Sequence, residues 1–118
     1  MATRAERLLQ LSERSEQGWS VVTIQGRLDS VTVARFTEQC YAWIDAGSGN
    51  VVLDLSGLDY VSSAGLSSIL GAAKRVQGRN GRLVVAGLKG LVKEVFAISG
   101  FETVLPTYPD LESAIRNA

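Results

Sequence analysis

The stretch from Val51 to Leu66 constrains the fold of this 118-residue chain more than any other part. It begins with the mostly apolar run Val51–Leu55, which opens on two β-branched valines and predicts a buried central strand. Ser56-Gly57 then predicts a turn. Two adjacent serines, Ser62 and Ser63, come just before apolar residues at helical spacing, which are Leu66, Ile69, Leu70, Ala73 and Val76. Serine is a preferred N-cap, so we expect a helix that begins at Ser62 or Ser63.

A hydroxyl at the start of that helix would have a particular electrostatic environment. It would face backbone N–H groups that lack helical partners, and it would lie at the positive end of the helix dipole. Such a position accommodates an added phosphoryl group well. The pattern therefore makes Ser62 and Ser63 candidates for a phosphorylation switch.

The N-terminal part of the chain predicts a hairpin. Residues 1–7 are polar and are expected to form a flexible tail, and Leu8–Arg14 is expected to be an edge strand, although the same stretch could also begin as a helix. Gly18 marks a turn, and the alternating pattern of Trp19–Leu28 predicts the second strand. This hairpin would add an antiparallel edge to the sheet.

The rest of the chain alternates helical and strand patterns. A helix is expected over Ser30–Asp45, capped by Ser30 or Thr32 and ended by Gly47-Ser48-Gly49. The remaining expected elements are a helix over Ser63–Gln77, a strand over Arg82–Ala86, a helix from the Gly87–Gly90 turn to Gly100, a strand over Phe101–Leu105 ended by Pro106, and a short helix capped by Asp110. We therefore expect one α/β domain over residues 1–118, with a mostly parallel sheet of four to five strands and about four helices.

Charge and cysteine content limit the classes of partner. Twelve basic and twelve acidic residues cancel, so the chain has no strong field to attract nucleic acid or an anionic membrane surface. No apolar stretch is long enough to span a bilayer, and the polar start of the chain does not resemble a signal peptide. Cys40 is the single cysteine, which excludes an internal disulfide and fits a reducing compartment. A cytoplasmic protein without direct membrane contact is expected.

The chain contains no histidine, and this argues against several kinds of chemistry. Ser-His-Asp and Cys-His catalysis both need an imidazole, and the usual zinc sites need histidine or several cysteines. We therefore expect no catalytic residue, no metal site and no cofactor. A small α/β enzyme with Ser63 as its nucleophile remains an alternative that the missing histidine weakens.

Three motifs in this order resemble the STAS domain family. Gly26-Arg27-Leu28-Asp29 before an amphipathic helix is similar to one family signature, and Val51–Leu58 followed by Ser62–Leu66 is similar to a second. Phe96–Glu102 resembles the family's third helix and its terminal glycine. The similarity extends from about Leu8 to the C-terminal region.

The resemblance implies a role in partner switching. Free-standing STAS proteins of this size are mostly bacterial anti-sigma factor antagonists. The unphosphorylated protein would bind an anti-sigma factor that is also a serine kinase, and phosphorylation would release it until a serine phosphatase restores binding. ATP would belong to the partner kinase. An accessory STAS subunit of a transporter or of a larger signalling complex is the alternative within this fold.

The family motif also assigns residues to the proposed site. Ser63 matches the phosphoacceptor, and Asp29 matches an aspartate that lies near it in the family. Ser62 stands where many members have aspartate, so Ser62 is a second candidate acceptor. The expected partner-binding surface comprises Asp29, Ser62, Ser63, Ala64 and Gly65.

Overall fold

The computed structural model describes residues 1–47 and 49–118, and its centre is a mixed β-sheet. The strands are β1 (Leu9–Glu16), β2 (Trp19–Leu28), β3 (Asn50–Val61), β4 (Arg82–Ala86) and β5 (Thr107–Tyr108). They lie in sequence order across the sheet, with β3 in the middle. The β1–β2 pair is antiparallel and every other pair is parallel, so the predicted mixed α/β sheet is confirmed.

The helices are α1 (Arg4–Leu8), α2 (Val33–Ala46), α3 (Ser63–Gln77), α4 (Gly90–Ser99) and α5 (Leu111–Asn117). Helices α2, α3 and α4 pack on one face of the sheet around fully buried side chains such as Phe36, Ile69 and Phe96. Helix α5 covers part of the other face, where Ala114 packs with Val21, Val52 and Val84 of three adjacent strands. Successive strand residues point to opposite faces, so the apolar runs of β2, β3 and β4 supply both cores.

The predicted hairpin at Gly18 is confirmed. Glu16 pairs with Trp19, which leaves a two-residue loop, and both loop residues have positive φ: 50° at Gln17 and 85° at Gly18. This is the type I′ geometry that matches the twist of antiparallel strands. The hairpin fixes the register of β1 along β2, the strand that ends at the candidate site.

The structure differs from the predictions at two places in the first part of the chain. The predicted tail of residues 1–7 contains helix α1, because Thr3 and Glu6 form a capping box: the N–H of Glu6 donates to Thr3 Oγ1 at 3.1 Å, and the N–H of Thr3 donates to Glu6 Oε1 at 3.0 Å. The helix predicted from Ser30 begins at Val33, because Asp29 and Thr32 close a turn before it. Of the two predicted caps, Thr32 is the N-cap residue, although its side chain makes no capping hydrogen bond in the described part of the chain. Ser48, part of the predicted helix end, lies outside the described residues.

The predicted turn at Ser56-Gly57 does not exist. Both residues lie within β3, which runs on to Val61 because β2 continues beside it: Gln25 pairs with Gly57 and Leu28 with Val61. Strand β4 pairs with β3 only as far as Asp54. The ends of β2 and β3 therefore extend beyond β4.

The predicted strand over Phe101–Leu105 was also wrong. Gly100 has a φ of 79° and ends α4 in the left-handed conformation, as expected, but a 3-10 turn over Phe101–Thr103 follows it. The apolar residues of this segment are used for packing, since Phe101 meets Phe96 edge to face with ring centroids 5.8 Å apart. The last strand lies after Pro106 and not before it.

None of the helices in the described part of the chain is long and apolar enough to cross a membrane.

Candidate functional site

The candidate site lies where β2 and β3 end side by side. Their last residues, Leu28 and Val61, are paired, so Asp29 and Ser62 begin the two loops that leave this edge of the sheet. The N–H of Ser62 donates to the carbonyl of Leu28 at 3.0 Å and holds the loops together. The structure thus brings together the residues that the sequence predicted.

The two serines have different roles in the structure. Ser62 is the N-cap of α3 and is half-buried, and its Oγ accepts the N–H of Gly65 at 3.2 Å. Ser63 is the first helical residue and is exposed, and its hydroxyl makes no hydrogen bond within residues 1–47 and 49–118. The sequence did not decide which of the two serines is the N-cap, and the structure assigns this position to Ser62. The free hydroxyl is that of Ser63.

Gly65 docks the start of α3 onto β2. It is buried, and a Cβ built on it would lie 2.6 Å from the carbonyl oxygen of Leu28 and 2.8 Å from Cγ2 of Val61. A glycine allows this close approach of helix to sheet. Ala64, in contrast, is exposed beside Ser63. Of the expected partner-binding residues, Gly65 therefore has a packing role and Ala64 lies on the accessible surface.

Asp29 organises the neighbouring loop. Its Oδ1 accepts the N–H of Val31 at 3.0 Å and that of Thr32 at 3.3 Å, and its side chain is only 16% exposed. Partial burial opposes ionisation of the carboxyl, but these two hydrogen bonds and Arg27 outweigh it and lower the pKa of Asp29 below its ordinary value of 3.8. Asp29 is therefore an anion at neutral pH.

The sequence reasoning missed two residues of this edge. The guanidinium of Arg27 lies 4.4 Å from the centroid of the Tyr60 ring, and its Nε lies 3.4 Å from Oδ2 of Asp29. Arg27 and Tyr60 are paired across β2 and β3. The two-residue spacing of Arg27 and Asp29 along a strand was a signal for a shared face, but the turn predicted at Ser56-Gly57 ended β3 before Tyr60.

Cys40 is fully buried in α2, as its place on the apolar face predicted. Burial raises the pKa of its thiol to about 12, so the thiol stays protonated at neutral pH. It takes no part in the candidate site.

The lowered pKa of Asp29 predicts a pH-dependent contribution to stability. Since the folded-state pKa lies below the unfolded one, the ionised carboxylate stabilises the fold above the unfolded pKa of about 3.9, and this contribution is lost as the pH falls through the folded pKa. We expect Asp29→Asn to be less stable than the wild type at pH 7, with a difference that closes in acid. Urea unfolding over a series of pH values measures this, with exposed Asp59→Asn as the control. A difference that is the same at every pH would contradict the prediction.

Comparison with known proteins connects this geometry to a family. The STAS domain model matches residues 10–114. BtrV of Bordetella bronchiseptica, named as an anti-sigma factor antagonist, is 40% identical over 97 residues, which are 82% of this chain and 84% of that protein.

Solved structures show the same fold. An anti-sigma factor antagonist from Mycobacterium paratuberculosis superposes with a TM-score of 0.84 at 21% identity, covering 99% of this chain and 100% of that one. The Bacillus cell fate determinant SpoIIAA in its phosphorylated form superposes with a TM-score of 0.68 at 19% identity, covering 93% and 99%. The STAS domain model matches most of the chain, and a relative is 40% identical to it; both agree with the motifs at the two strand ends. The chain therefore belongs to the STAS domain family.

Proposed function

We propose that this protein is an anti-sigma factor antagonist controlled by phosphorylation of Ser63. In the unphosphorylated form it binds an anti-sigma factor that is also a serine kinase, and the sigma factor is freed. Phosphorylation by that kinase releases the antagonist, and a serine phosphatase returns it to the binding form. In this role the protein regulates transcription in the cytoplasm by binding another protein, and it catalyses no reaction itself.

One observation carries the proposal: the hydroxyl of Ser63, exposed and without a hydrogen bond to any described residue, stands at the first turn of α3, on the edge where Asp29 is held ionised. The names of the relatives support the same reading, since BtrV is named as an anti-sigma factor antagonist and SpoIIAA has a phosphorylated form.

The chemical step is a phosphoryl transfer. The kinase positions the γ-phosphorus of ATP against Oγ of Ser63, the new O–P bond forms as the bond to the bridging oxygen of ADP breaks, and the hydroxyl proton is released. The product carries nearly two negative charges at neutral pH. The free N–H groups and the dipole of α3 accommodate this charge on the folded domain.

The same charge has the opposite effect at an interface. A partner surface that fits a neutral hydroxyl would have to desolvate the phosphoryl group, and Asp29 adds a second negative charge to the same edge. Binding is therefore lost while the fold is retained.

The test is to incubate the purified protein with ATP and, one at a time, the serine kinases of the anti-sigma factor class from its own genome. Mass spectrometry of the intact chain and of its peptides then counts and locates the phosphoryl groups. We expect one group, at Ser63, and none on Ser63→Ala.

The matched control is Ser62→Asn, which removes the second hydroxyl but keeps an N-cap acceptor for the N–H of Gly65. We expect this variant to be phosphorylated like the wild type. Phosphorylation of Ser63→Ala to the same extent as the wild type would reject Ser63 as the acceptor.

A further inference from the structure

One large apolar side chain is exposed beside the candidate site. Val31 is 43% exposed and lies in the turn that leads from β2 into α2. The other large apolar residues that are exposed in the described part of the chain lie at its start and in or after α4, and they are Met1, Leu91, Ile98 and Val104. Among the described residues Val31 belongs to neither hydrophobic cluster, so the fold itself makes little use of its side chain.

The contacts between α2 and α3 show that the two helices run parallel and in register. The hydroxyl of Tyr41 donates to the carbonyl of Ser68 at 2.9 Å, across 27 residues of sequence. One turn later, Nη2 of Arg75 donates to Oδ2 of Asp45 at 2.6 Å, across 30 residues. The nearly constant separation means that equal steps along α2 and α3 keep the same residues side by side.

This register places Val31 close to Ser63. The first residues of the two helices, Val33 and Ser63, are separated in sequence by the same interval as the Asp45–Arg75 pair, so the two helix starts lie at one level. The N–H of Ser62 donates to the carbonyl of Leu28 at 3.0 Å and joins the loops that precede them. Packed helices lie about 8–10 Å apart, so Val31 is roughly 10 Å from Ser63.

The backbone of Val31 is held in place by its neighbours. Its N–H donates to Oδ1 of Asp29 at 3.0 Å, and the N–H of Thr32 donates to the same oxygen at 3.3 Å. Thr32 is buried, and its Oγ1 donates to the carbonyl of Arg27 at 2.8 Å. The exposed valine is therefore presented by a fixed turn, which reduces the conformational entropy that a partner must remove on binding.

The exposed side chains at the two helix starts carry no charge. They are Ser30, Val31, Ala34, Ser63, Ala64 and Ser67. Of the charged residues in this region, Asp29 is only 16% exposed, and Arg35 contacts β1, where its Nε donates to the carbonyl of Leu9 at 3.0 Å. Such a surface is complementary to an uncharged, apolar face of another protein, because the centres of interfaces are depleted in charge.

We propose that Val31 is the apolar anchor of the surface that binds the anti-sigma factor, and that Asp29 is the positioning residue that holds it there. This rests on the function proposed above. An interface of standard size buries about 800 Å² on each partner, a disc of roughly 16 Å radius. A disc centred on Ser63 therefore includes Val31. The phosphoryl group then places its charge within the same uncharged contact that Val31 anchors.

The experiment measures the dissociation constant of the unphosphorylated protein for the serine-kinase anti-sigma factors of its own genome by isothermal titration calorimetry. We expect Val31→Ser to weaken binding about tenfold, because the exposed part of the valine side chain is no longer removed from water. Val31→Ile keeps an apolar, β-branched side chain and should bind within about twofold of the wild type. Both variants should melt at the temperature of the wild type.

Ile98→Ser is the matched control. Ile98 is 87% exposed, more than Val31, but it lies near the C-terminal end of α4. This variant should bind like the wild type. An equal loss of affinity in Ile98→Ser and Val31→Ser would overturn the proposal, because the loss would then follow from surface hydrophobicity in general.

A double-mutant cycle tests the role of Asp29. Asp29→Ala removes the acceptor of the two N–H groups, and we expect it to weaken binding several-fold in the wild-type background but much less in Val31→Ser. Equal losses in the two backgrounds, at a temperature where all four proteins are folded, would show that Asp29 does not act through Val31.

The outcomes separate this inference from the proposed function. A folded Val31→Ser protein that binds as tightly as the wild type would overturn the inference and leave the proposed function standing. A Val31→Ile protein that binds as weakly as Val31→Ser would overturn the apolar role of this side chain. A wild-type protein that binds none of the anti-sigma factors would overturn both.

Discussion

Ser63→Asp is expected to bind the anti-sigma factor roughly a hundredfold more weakly than the wild type, because an unpaired charge at an interface carries a penalty of about 2–3 kcal/mol. The substitution places a permanent carboxylate where the wild type has an exposed hydroxyl, at the sheet edge that also carries the anion of Asp29. It should not harm the fold, since a carboxylate in the first turn of a helix is stabilising by about 0.3–1 kcal/mol.

The measurement is the dissociation constant from isothermal titration calorimetry, together with a thermal melt of the variant. Ser15→Asp is the control, because Ser15 is an exposed serine that pairs with Ser20 at the start of β2, the end of that strand opposite the site. That variant should bind like the wild type. If the folded Ser63→Asp protein kept its full affinity, the charge mechanism would be wrong.

Gly65→Ala is expected to destabilise the fold by about 3 kcal/mol, at the upper end of what overpacking typically causes. The added Cβ would lie 2.6 Å from the carbonyl oxygen of Leu28, a backbone atom that cannot move without shifting the end of β2. The start of α3 would have to separate from the sheet, and the hydrogen bond from Ser62 to that same carbonyl would weaken. We therefore also expect slower phosphorylation of Ser63.

Urea unfolding of Gly65→Ala and Gly78→Ala measures this effect against a matched control. Gly78, at the other end of α3, has a φ of −63°, and a Cβ there would meet its nearest atom at 3.5 Å, which is ordinary contact. Alanine at Gly78 should leave the stability unchanged or raise it slightly. A Gly65→Ala protein as stable as Gly78→Ala would show that the contact with Leu28 does not fix the helix.

The sheet and its main helices could be predicted because their local patterns and their tertiary environment agree. The apolar run of β3 is buried on both faces, as such runs are in parallel sheets, and α3 begins at the predicted pair of serines. Phe101–Leu105 shows where such patterns mislead. Its apolar residues suggested a strand, but the preceding left-handed Gly100 turns the chain so that Phe101 packs on Phe96 instead.

The candidate site was only partly accessible to sequence reasoning. Asp29, Ser62 and Ser63 could be placed together through the resemblance to the family motif, and in the structure they follow the paired ends of β2 and β3. Arg27 and Tyr60 could not, because their contact depends on the register of β2 and β3 beyond residue 56, where β4 no longer accompanies them. A register over long sequence separation is set by tertiary packing and is not visible in local patterns.

The assignment of the cap to Ser62 has a consequence for the speed of the proposed cycle. The side chain that closes the first turn of α3 is not the one that would be modified, so adding or removing a phosphoryl group on Ser63 leaves that closure in place. No segment has to melt and reform between the two states. The rate of switching would then be limited by the modifying enzymes and by partner dissociation.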